Sequence, residues 1–587
     1  MAVAQTVFVV LLSVLGAYIG HQVWLTFTRP SVEHMVVKQL VENEELVKHS
    51  DVFTKREIVK VTDNAYMAIG FALGNSIMLI APEGLIIVDV TESIVAAKAI
   101  LEEFRKISKK PIKALVYTHN HADHIGGAQA FIEDVNHPPD IWAHELLPNE
   151  VNKFYTASFG AKFQRSMRQF GVFVKKRLNA GIGPVVEYGT DDNSFGFVMP
   201  NKFVNKPETR ATIAGLEVTI MHIPGETNDQ IGVWVPSWRM MMSADDIYKA
   251  YPNIYTIRGA PARDPVDWYT SVQRIIDLKP EYLVPSHTRP VTGNENINAI
   301  LVPYRDGIQY IHDQALRFIN KGYVPDDVVK YVTLPKKLAM HPYLREFYGT
   351  VNWSVKGVFQ LYLGWFSGDP VDLFPLSSSD KAKRMASMAG GINGLLAEAV
   401  RAWNDDDVQW ALELASYVLH IDKDNTDAKK IKVQALTSLG SQQINAIARN
   451  YYLTEAREAL GEITLEVNDQ GRKDMIESLS MENLFHAMST LYRPETCGTK
   501  EMHVVYAFTD TGTTLSIQLR NGVAIVRADH IPARPHVKVV TAESTLRDAM
   551  INKMTTLGSY PQTEMQIEGG LNKLKEFMNC FDKSFTD

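Results

Sequence analysis

Four side chains that can bind a metal ion lie within six positions, directly after an apolar stretch at residues 114–117. They are His119, His121, Asp123 and His124. Neutral imidazole and carboxylate groups suit zinc, manganese or iron. Because ligands of α/β folds collect in loops beyond the carboxyl ends of strands, the run predicts an α/β domain with a metal centre at a strand end.

The hydrophobic periodicity around this run supports an α/β fold. Residues 85–88 form an apolar run, residues 94–107 repeat apolar positions at helical spacing, and residues 114–117 are apolar again. Strand, helix and strand in this order are typical of α/β domains. The pattern is mostly helical over residues 304–460, and strand-like alternation returns after residue 501. For 587 residues we therefore expect several domains, with an α+β domain at the C-terminus.

Charge and cysteine content exclude two classes of partner and ligand. The net charge of -7 argues against nucleic acid as the main partner, because phosphate neutralisation needs clustered Lys and Arg. The two cysteines, Cys497 and Cys580, are too few for a thiolate zinc site or a disulfide scaffold. Any metal is therefore held by His and carboxylate groups, and whether the two cysteines bridge stays open.

The first 28 residues contain no Asp, Glu, Lys or Arg. The stretch 7–27 is apolar and long enough to cross a bilayer as a helix. We predict a signal-anchor or a cleaved signal peptide at residues 1–28; the alternative is a buried core helix. The prediction places the remaining chain in the secretory pathway, either membrane-anchored or secreted, in the endoplasmic reticulum or outside the cell.

One loop cannot complete two metal shells, so further ligands are expected at later strand ends. Three candidates directly follow apolar runs: Glu226, Asp245 and His287. His222 is their main rival, but it belongs to the strand before the turn, and we interpret it as a packing or supporting residue.

The His-x-His-x-Asp-His run, followed by Gly126 and Gly127 and by later ligands, resembles the signature of the metallo-β-lactamase superfamily. Within it the chain looks like the SDS-degrading, type III alkyl sulfatases, because Glu226 stands where most of the superfamily has a His after Pro-Gly. The spacing of 19 residues from Glu226 identifies Asp245, rather than Asp246, as the counterpart of that family's next ligand.

The resemblance extends along nearly the whole chain after residue 50. The segment 253–260 with Arg263 and Trp268 is similar to the family's sulfate-binding segment, and landmarks of its dimerisation and C-terminal domains follow in order at residues 348–349, 362–366, 369–370, 390–391, 508–511 and 521–522. The resemblance implies an αββα sandwich over residues 29–299, a helical dimerisation domain over 300–468 and a C-terminal domain over 469–587 related to sterol-carrier proteins (SCP2-like). It also implies a homodimer.

The resemblance further implies two Zn²⁺ ions per chain, although other divalent metals would fit. One ion would be held by His119, His121 and Glu226, the other by Asp123, His124 and His287, with Asp245 bridging. Metal-activated water, and no side chain, would be the nucleophile. Arg258 would bind the sulfate group with Asn253 and Thr256, because a guanidinium group can engage two ester oxygens. Arg263 would either bind the sulfate group together with these residues or form an ion pair with Asp264.

We therefore expect a hydrolase that cleaves an alkyl sulfate ester to an alcohol and inorganic sulfate. Two alternatives stay open: another metallo-hydrolase, such as a lactonase, thioesterase or phosphodiesterase, and a lipid-binding dimeric scaffold without turnover. The chain departs from the family beside the substrate pocket. Asp245 replaces a glutamate, residues 226–229 (Glu-Thr-Asn-Asp) stand where the family has a Thr-Glu-Ala-Pro stretch around the counterpart of Glu226, and Pro252 replaces a His.

Overall fold

The computed structural model describes residues 30–155, 158–186, 195–465, 473, 476–477, 479–498, 500–551 and 564–582. The hydrophobic segment predicted at residues 1–28 lies outside these ranges. Among the helices of the described ranges, none combines the length and apolar character needed to span a membrane.

Two sheets form the α/β part of the chain. The first contains seven strands in chain order, namely Glu57–Thr62, Ala65–Ile69, Ser76–Ile80, Leu85–Val88, Ile112–Val116, Asp140–His144 and Lys202–Val204. Its first four strands pair antiparallel and the later ones pair parallel. The second contains six, namely Glu208–Ile213, Leu216–His222, Ile231–Val235, Met240–Met242, Tyr282–Val284 and Val291–Thr292.

Alternating apolar side chains of both sheets meet in one core. Met67, Leu79 and Val116 of the first sheet share a buried cluster with Ile220 and Val233 of the second. Because side chains alternate between the faces of a strand, each sheet buries one apolar face against the other. This sheet-on-sheet core carries the loops that follow Val116, His222, Met242 and Val284.

Helices of the α/β part bury one apolar face each. Ile94–Ile107 forms as its spacing predicts, with Ser93 accepting a hydrogen bond from the Ala96 amide at its N-terminus. Pro265–Asp277 begins at the capping residue Asp264 and buries Trp268. The other α-helices before residue 366 in the described ranges are Glu44–His49, Ala122–Ile125, Leu147–Tyr155, Phe159–Gln169, Asn294–Ile319, Pro325–Tyr331, Lys336–Ala339 and Val351–Leu363.

The chain divides into two compact units. One contains residues 1–45, 366–444 and 448–464, and the other contains 46–365, 445–447 and 465–587. The helical domain predicted over 300–468 is thus shared between them. The core of the first unit is formed by the helices Ser378–Met388, Ile392–Asn404, Val408–Ile421 and Thr426–Gln442. Most of the helix Ala446–Ala459 also belongs to this unit.

The C-terminal region has the expected α+β composition. Its five strands are ordered Val523–Ala528, Thr514–Arg520, Met502–Phe508, Val537–Thr541 and Met565–Glu568 across the sheet. Its helices are Met481–Ser489, Pro494–Cys497, Glu543–Ile551 and Leu571–Met578. Cys497 and Cys580 form a disulfide with their Cα atoms 5.5 Å apart. Folding thereby decides the pairing that the sequence left open.

Candidate metal centre and anion pocket

The structure brings all seven predicted metal ligands together in two groups. The first cluster contains His119, His121, Glu226 and Asp245, and the second cluster contains Asp123, His124 and His287. Within each cluster the ligand atoms lie within 4.8 Å of one another. Residues from four separate strand ends therefore converge on one place.

The histidine run lies in a tight loop after the strand Ile112–Val116. Thr118 fixes the start of the loop, since its amide and hydroxyl groups donate to the Asp89 carboxylate at 2.9 and 3.0 Å. The loop then continues into the short helix Ala122–Ile125. A Cβ atom on Gly127 would clash with the backbone of Val90, so the loop can pack this closely only with glycine there.

The first cluster is compact and buried. Glu226 Oε2 lies 3.3 Å from His119 Nε2 and 3.0 Å from His121 Nδ1. The two imidazoles approach each other to 2.8 Å between His119 Nε2 and His121 Nδ1. Three groups that can each donate a lone pair to a metal ion thus face the same point.

Asp245 lies between the two clusters. Its Oδ2 atom is 3.9 Å from His119 Nε2 in the first cluster and 3.1 Å from His287 Nε2 in the second. Its Oδ1 atom is 3.5 Å from His124 Nε2. Asp123 Oδ2 completes the second cluster at 3.4 Å from His124 Nε2 and 3.3 Å from His287 Nε2. The position of Asp245 is that expected of a bridging carboxylate.

The donor atoms of these clusters fit divalent metal ions. Several are buried and have no hydrogen-bond partner within the described residues: His124 Nε2, His287 Nε2, Asp245 Oδ1 and Glu226 Oε2. A buried polar atom without a partner costs free energy. Nitrogen and carboxylate oxygen donors that converge in this way suit zinc and similar cations, which would satisfy them.

Groups behind the ligands orient the histidine rings. His124 Nδ1 lies 2.8 Å from Asp89 Oδ2, and His287 Nδ1 lies 3.0 Å from the Leu73 carbonyl oxygen. When Nδ1–H donates to these acceptors, Nε2 keeps its lone pair for a metal ion. Sequence reasoning assigned no role to Asp89, although a carboxylate that ends the apolar run 85–88 was a usable signal.

The protonation of two ligands of the first cluster suits metal binding. Burial opposes ionisation of Glu226, but the charge of Arg263 and the contacts with His121 and His119 outweigh it and hold the pKa of that carboxyl well below its usual range. Burial lowers the pKa of His121 to about 4. A carboxylate and a neutral imidazole are the forms that bind metal.

A cavity of about 580 Å³, including the space at its mouth, opens beside His121 and Glu226. Arg258 lies in its wall, with Nη2 donating to His121 Nε2 at 3.1 Å and with the guanidinium group 6.0 Å from the centre of the Phe170 ring. Lys153 and Lys162 also line the cavity. The cavity therefore offers positive charge next to the first cluster, as an anionic ester would require.

The other predicted substrate-binding residues lie deeper. Asn253 and Thr256 are buried, and both polar side-chain atoms of Asn253 have no hydrogen-bond partner within the described residues. Arg263 is not part of the cavity wall; its Nη1 atom lies 2.9 Å from Glu226 Oε1. Asp264, the alternative partner of Arg263, instead accepts a hydrogen bond from the Val266 amide as the helix cap.

His222 takes the place expected of a packing residue. Its ring stacks on His144 with the centroids 4.2 Å apart, and its Nε2 atom lies 2.7 Å from the Asn228 carbonyl oxygen. Within the described ranges it belongs to neither cluster of candidate ligands. The sequence interpretation of His222 agrees with this placement.

Family models match three consecutive regions of the chain. The metallo-beta-lactamase superfamily matches residues 69–287, alkyl sulfatase dimerisation matches 324–462 and alkyl sulfatase C-terminal matches 469–587. Together they cover most of the two-sheet region, most of the helical region and the C-terminal sheet.

Proteins similar to this chain include alkylsulfatases. A linear primary-alkylsulfatase of a Pseudomonas species is 37% identical over 524 residues, which cover 86% of this chain and 98% of that protein. The alkyl/aryl-sulfatase BDS1 of Saccharomyces cerevisiae is 26% identical, covering 92% and 84%. The solved structure of the stereoselective inverting sec-alkylsulfatase Pisa1 from Pseudomonas superposes with a TM-score of 0.86 at 26% identity, covering 94% and 88%. The chain therefore belongs to the alkyl sulfatase family of the metallo-β-lactamase superfamily.

Proposed function

We propose that this protein hydrolyses alkyl sulfate esters to an alcohol and inorganic sulfate, using two zinc ions held by the two clusters. The observation that carries the proposal is the pair of buried ligand clusters, joined by Asp245, beside a cavity that contains Arg258. Divalent cations in such a site lower the pKa of bound water and neutralise charge on ester oxygens.

The chain's own residues bind and orient the ester. The Arg258 guanidinium group is directed toward the first cluster by its contact with His121 and is backed by Phe170. Its Nη1 atom is buried without a hydrogen-bond partner within the described residues, so it can donate to a sulfate oxygen. Lys162 adds a second positive charge on the same wall. The sulfate group is therefore placed next to the metal ligands.

Substrate turnover tests the proposal. Sulfate release from dodecyl sulfate should exceed hydrolysis of matched acyl, lactone and phosphate esters, and Arg258→Met should raise KM for the sulfate ester. Arg210→Met, a change in a strand outside the cavity, serves as the control. Turnover of only the acyl, lactone or phosphate esters would reject the proposed reaction. Metal analysis of the purified protein, with two zinc ions per chain expected, tests the cofactor.

We also propose that the protein is a homodimer that associates through its helical region. Support comes from the match to the alkyl sulfatase dimerisation model and from exposed apolar side chains at residues 371–376. Phe374 is 94% and Val371 76% exposed in the single chain. Apolar clusters of this kind mark association surfaces. Sedimentation of Phe374→Glu should show monomers where the unaltered protein sediments as a dimer.

We propose that the protein is located in an oxidising compartment. It rests on the Cys497–Cys580 disulfide together with the hydrophobic residues 1–28. Alkylation of protein from its native source without reductant should leave both cysteines unmodified, and intact-mass analysis should show whether residues 1–28 are removed. Alkylated cysteines would contradict the proposed location. The resemblance of residues 469–587 to sterol-carrier proteins also predicts that this domain holds an alkyl chain.

A further inference from the structure

His287 reaches the second cluster from the loop after the strand Tyr282–Val284. The next residue, Thr288, has a φ of 89°. A β-branched side chain rarely takes this conformation, because its Cβ atom then crowds the backbone. Residues strained in this way persist only where the surrounding structure holds them, and they gather at functional sites. The conformation of Thr288 therefore requires a hold on the chain directly after the ligand.

Asn75, which precedes the strand Ser76–Ile80 of the first sheet, supplies this hold. It is 4% exposed. Its side-chain Nδ2 atom donates to the Thr288 carbonyl oxygen at 2.9 Å, and its backbone amide donates to the Ser286 carbonyl oxygen at 2.8 Å. Because a carbonyl oxygen can only accept, the amide nitrogen of the side chain is the atom that faces Thr288. Asn75 thus binds the chain on both sides of His287.

Leu73 and Gly74 contact the second cluster as well. The Leu73 carbonyl oxygen accepts a hydrogen bond from His287 Nδ1 at 3.0 Å. A Cβ atom on Gly74 would lie 2.6 Å from the Asp123 carbonyl oxygen, so the loop packs directly against the histidine run. The Leu73 amide lies 3.0 Å from each carboxylate oxygen of the buried Glu92, which fixes the loop in turn. The loop 73–75 therefore contacts two of the three ligand residues of the second cluster.

We infer that Asn75 is a positioning residue: it holds Thr288 in its strained conformation and thereby sets the direction in which His287 Nε2 faces the metal ion of the second cluster. The inference rests on the metal assignment proposed above. Asn75 is not among the described residues that line the cavity or belong to either cluster. Its effect on the centre passes through the backbone beside His287, whereas Leu73 orients the ring.

Zinc binding without substrate tests the inference. In a His121→Ala protein, where the ion of the second cluster remains, Asn75→Ala should weaken zinc binding about 10-fold in competition with a chelator. This is the lower end of the range for partners behind a ligand. Asn75→Asp should lose as much, because a carboxylate keeps the size of the side chain but has no N–H to donate. In a His287→Ala protein, Asn75→Ala should leave the remaining ion unaffected, because the ligand that it positions is gone.

Glycine at position 288 tests the role of the strain. Glycine adopts a φ of this sign without steric cost, so the loop can keep its conformation when the hold of Asn75 is removed. Adding Thr288→Gly to Asn75→Ala should therefore restore part of the lost zinc affinity. A residue that only stabilises the fold would not be rescued in this way, since Thr288→Gly adds no contact.

Asn179→Ala is the matched control. Asn179 is 2% exposed, and its Nδ2 atom donates to the Leu46 carbonyl oxygen at 3.0 Å, in a helix that contains no candidate ligand. Its removal should lower the free energy of unfolding of the metal-free protein, as Asn75→Ala does, but should leave both zinc affinities unchanged. Circular dichroism identifies any variant that fails to fold. Asn75→Asp, which fills the same space, carries the test if Asn75→Ala does not fold.

Three results would overturn the inference. The first is unchanged zinc affinity of the second cluster in both Asn75→Ala and Asn75→Asp. The second is an equal loss in the His121→Ala and His287→Ala proteins, which would mean that the whole centre loosens. The third is the absence of any recovery when Thr288→Gly is added. Because zinc binding is measured without any ester, failure of the proposed sulfatase activity would leave this test unaffected.

Discussion

The two ligand clusters are supported from behind by groups of opposite character. Behind His124 and His287 lie acceptors, the Asp89 carboxylate at 2.8 Å and the Leu73 carbonyl at 3.0 Å. Behind Glu226 lies a cation, Arg263, at 2.9 Å. An imidazole ligand has a second N–H to donate, whereas a carboxylate ligand has a second oxygen that attracts positive charge. The chemistry of each ligand therefore dictates the chemistry of the group behind it.

Removing a ligand of the first cluster should have the largest effect. We expect His121→Ala to lose one zinc ion and to lower sulfate release more than about 100-fold, beyond the range for partners behind a ligand. Metal analysis and sulfate release measure the two effects. His137→Ala is the control, because the His137 side chain is 86% exposed and belongs to neither cluster. Full sulfate release by His121→Ala would contradict the metal assignment.

Removing the acceptor behind the second cluster should have the next largest effect. Asp89→Asn replaces the charged acceptor of His124 and should weaken zinc binding about 10–100-fold. Chelator competition in a His121→Ala background isolates the ion of the second cluster, where the loss is expected. Unchanged zinc binding by Asp89→Asn in this background would break the comparison.

Restoring the family's glutamate at position 245 tests the space between the clusters. Asp245 is 1% exposed, so the added methylene of Asp245→Glu should overpack the site and lower the free energy of unfolding by about 1–3 kcal/mol. Urea unfolding of the metal-free protein measures this loss, with the exposed Asp405→Glu as control. A gain in stability or in zinc affinity would mean that the site has room for the longer ligand.

The smallest effect should follow from removing one neutral donor. Ser286 Oγ donates to Asp89 Oδ2 at 2.7 Å, so Ser286→Ala removes one of several hydrogen bonds to this carboxylate. The loss of about 1 kcal/mol corresponds to about fivefold in zinc affinity at the second cluster. An effect as large as that of Asp89→Asn would assign the support of His124 to Ser286 instead.

Local chemistry made much of the fold and site predictable. The helix at residues 94–107 agrees with Ile94–Ile107, because its apolar spacing and its Ser93 cap are properties of neighbouring residues. A boundary farther along was wrong: the helical pattern was expected from residue 304, but the helix begins at Asn294 and continues through Pro303. Packing of this helix against the rest of the protein outweighs the usual tendency of a proline to break a helix.

The sequence by itself determined the ligand types of the centre, since the run from His119 to His124 needs no distant partner to be recognised. The apolar runs before Glu226, Asp245 and His287 made these residues candidates, and the resemblance assigned them to two metal shells. Only the tertiary structure decided that Asp89 supports His124, that Arg263 meets Glu226 rather than the cavity, and that Cys497 bridges Cys580. Each of these pairs joins residues far apart in the chain, and the packing of whole strands and helices, which no local pattern encodes, brings them together.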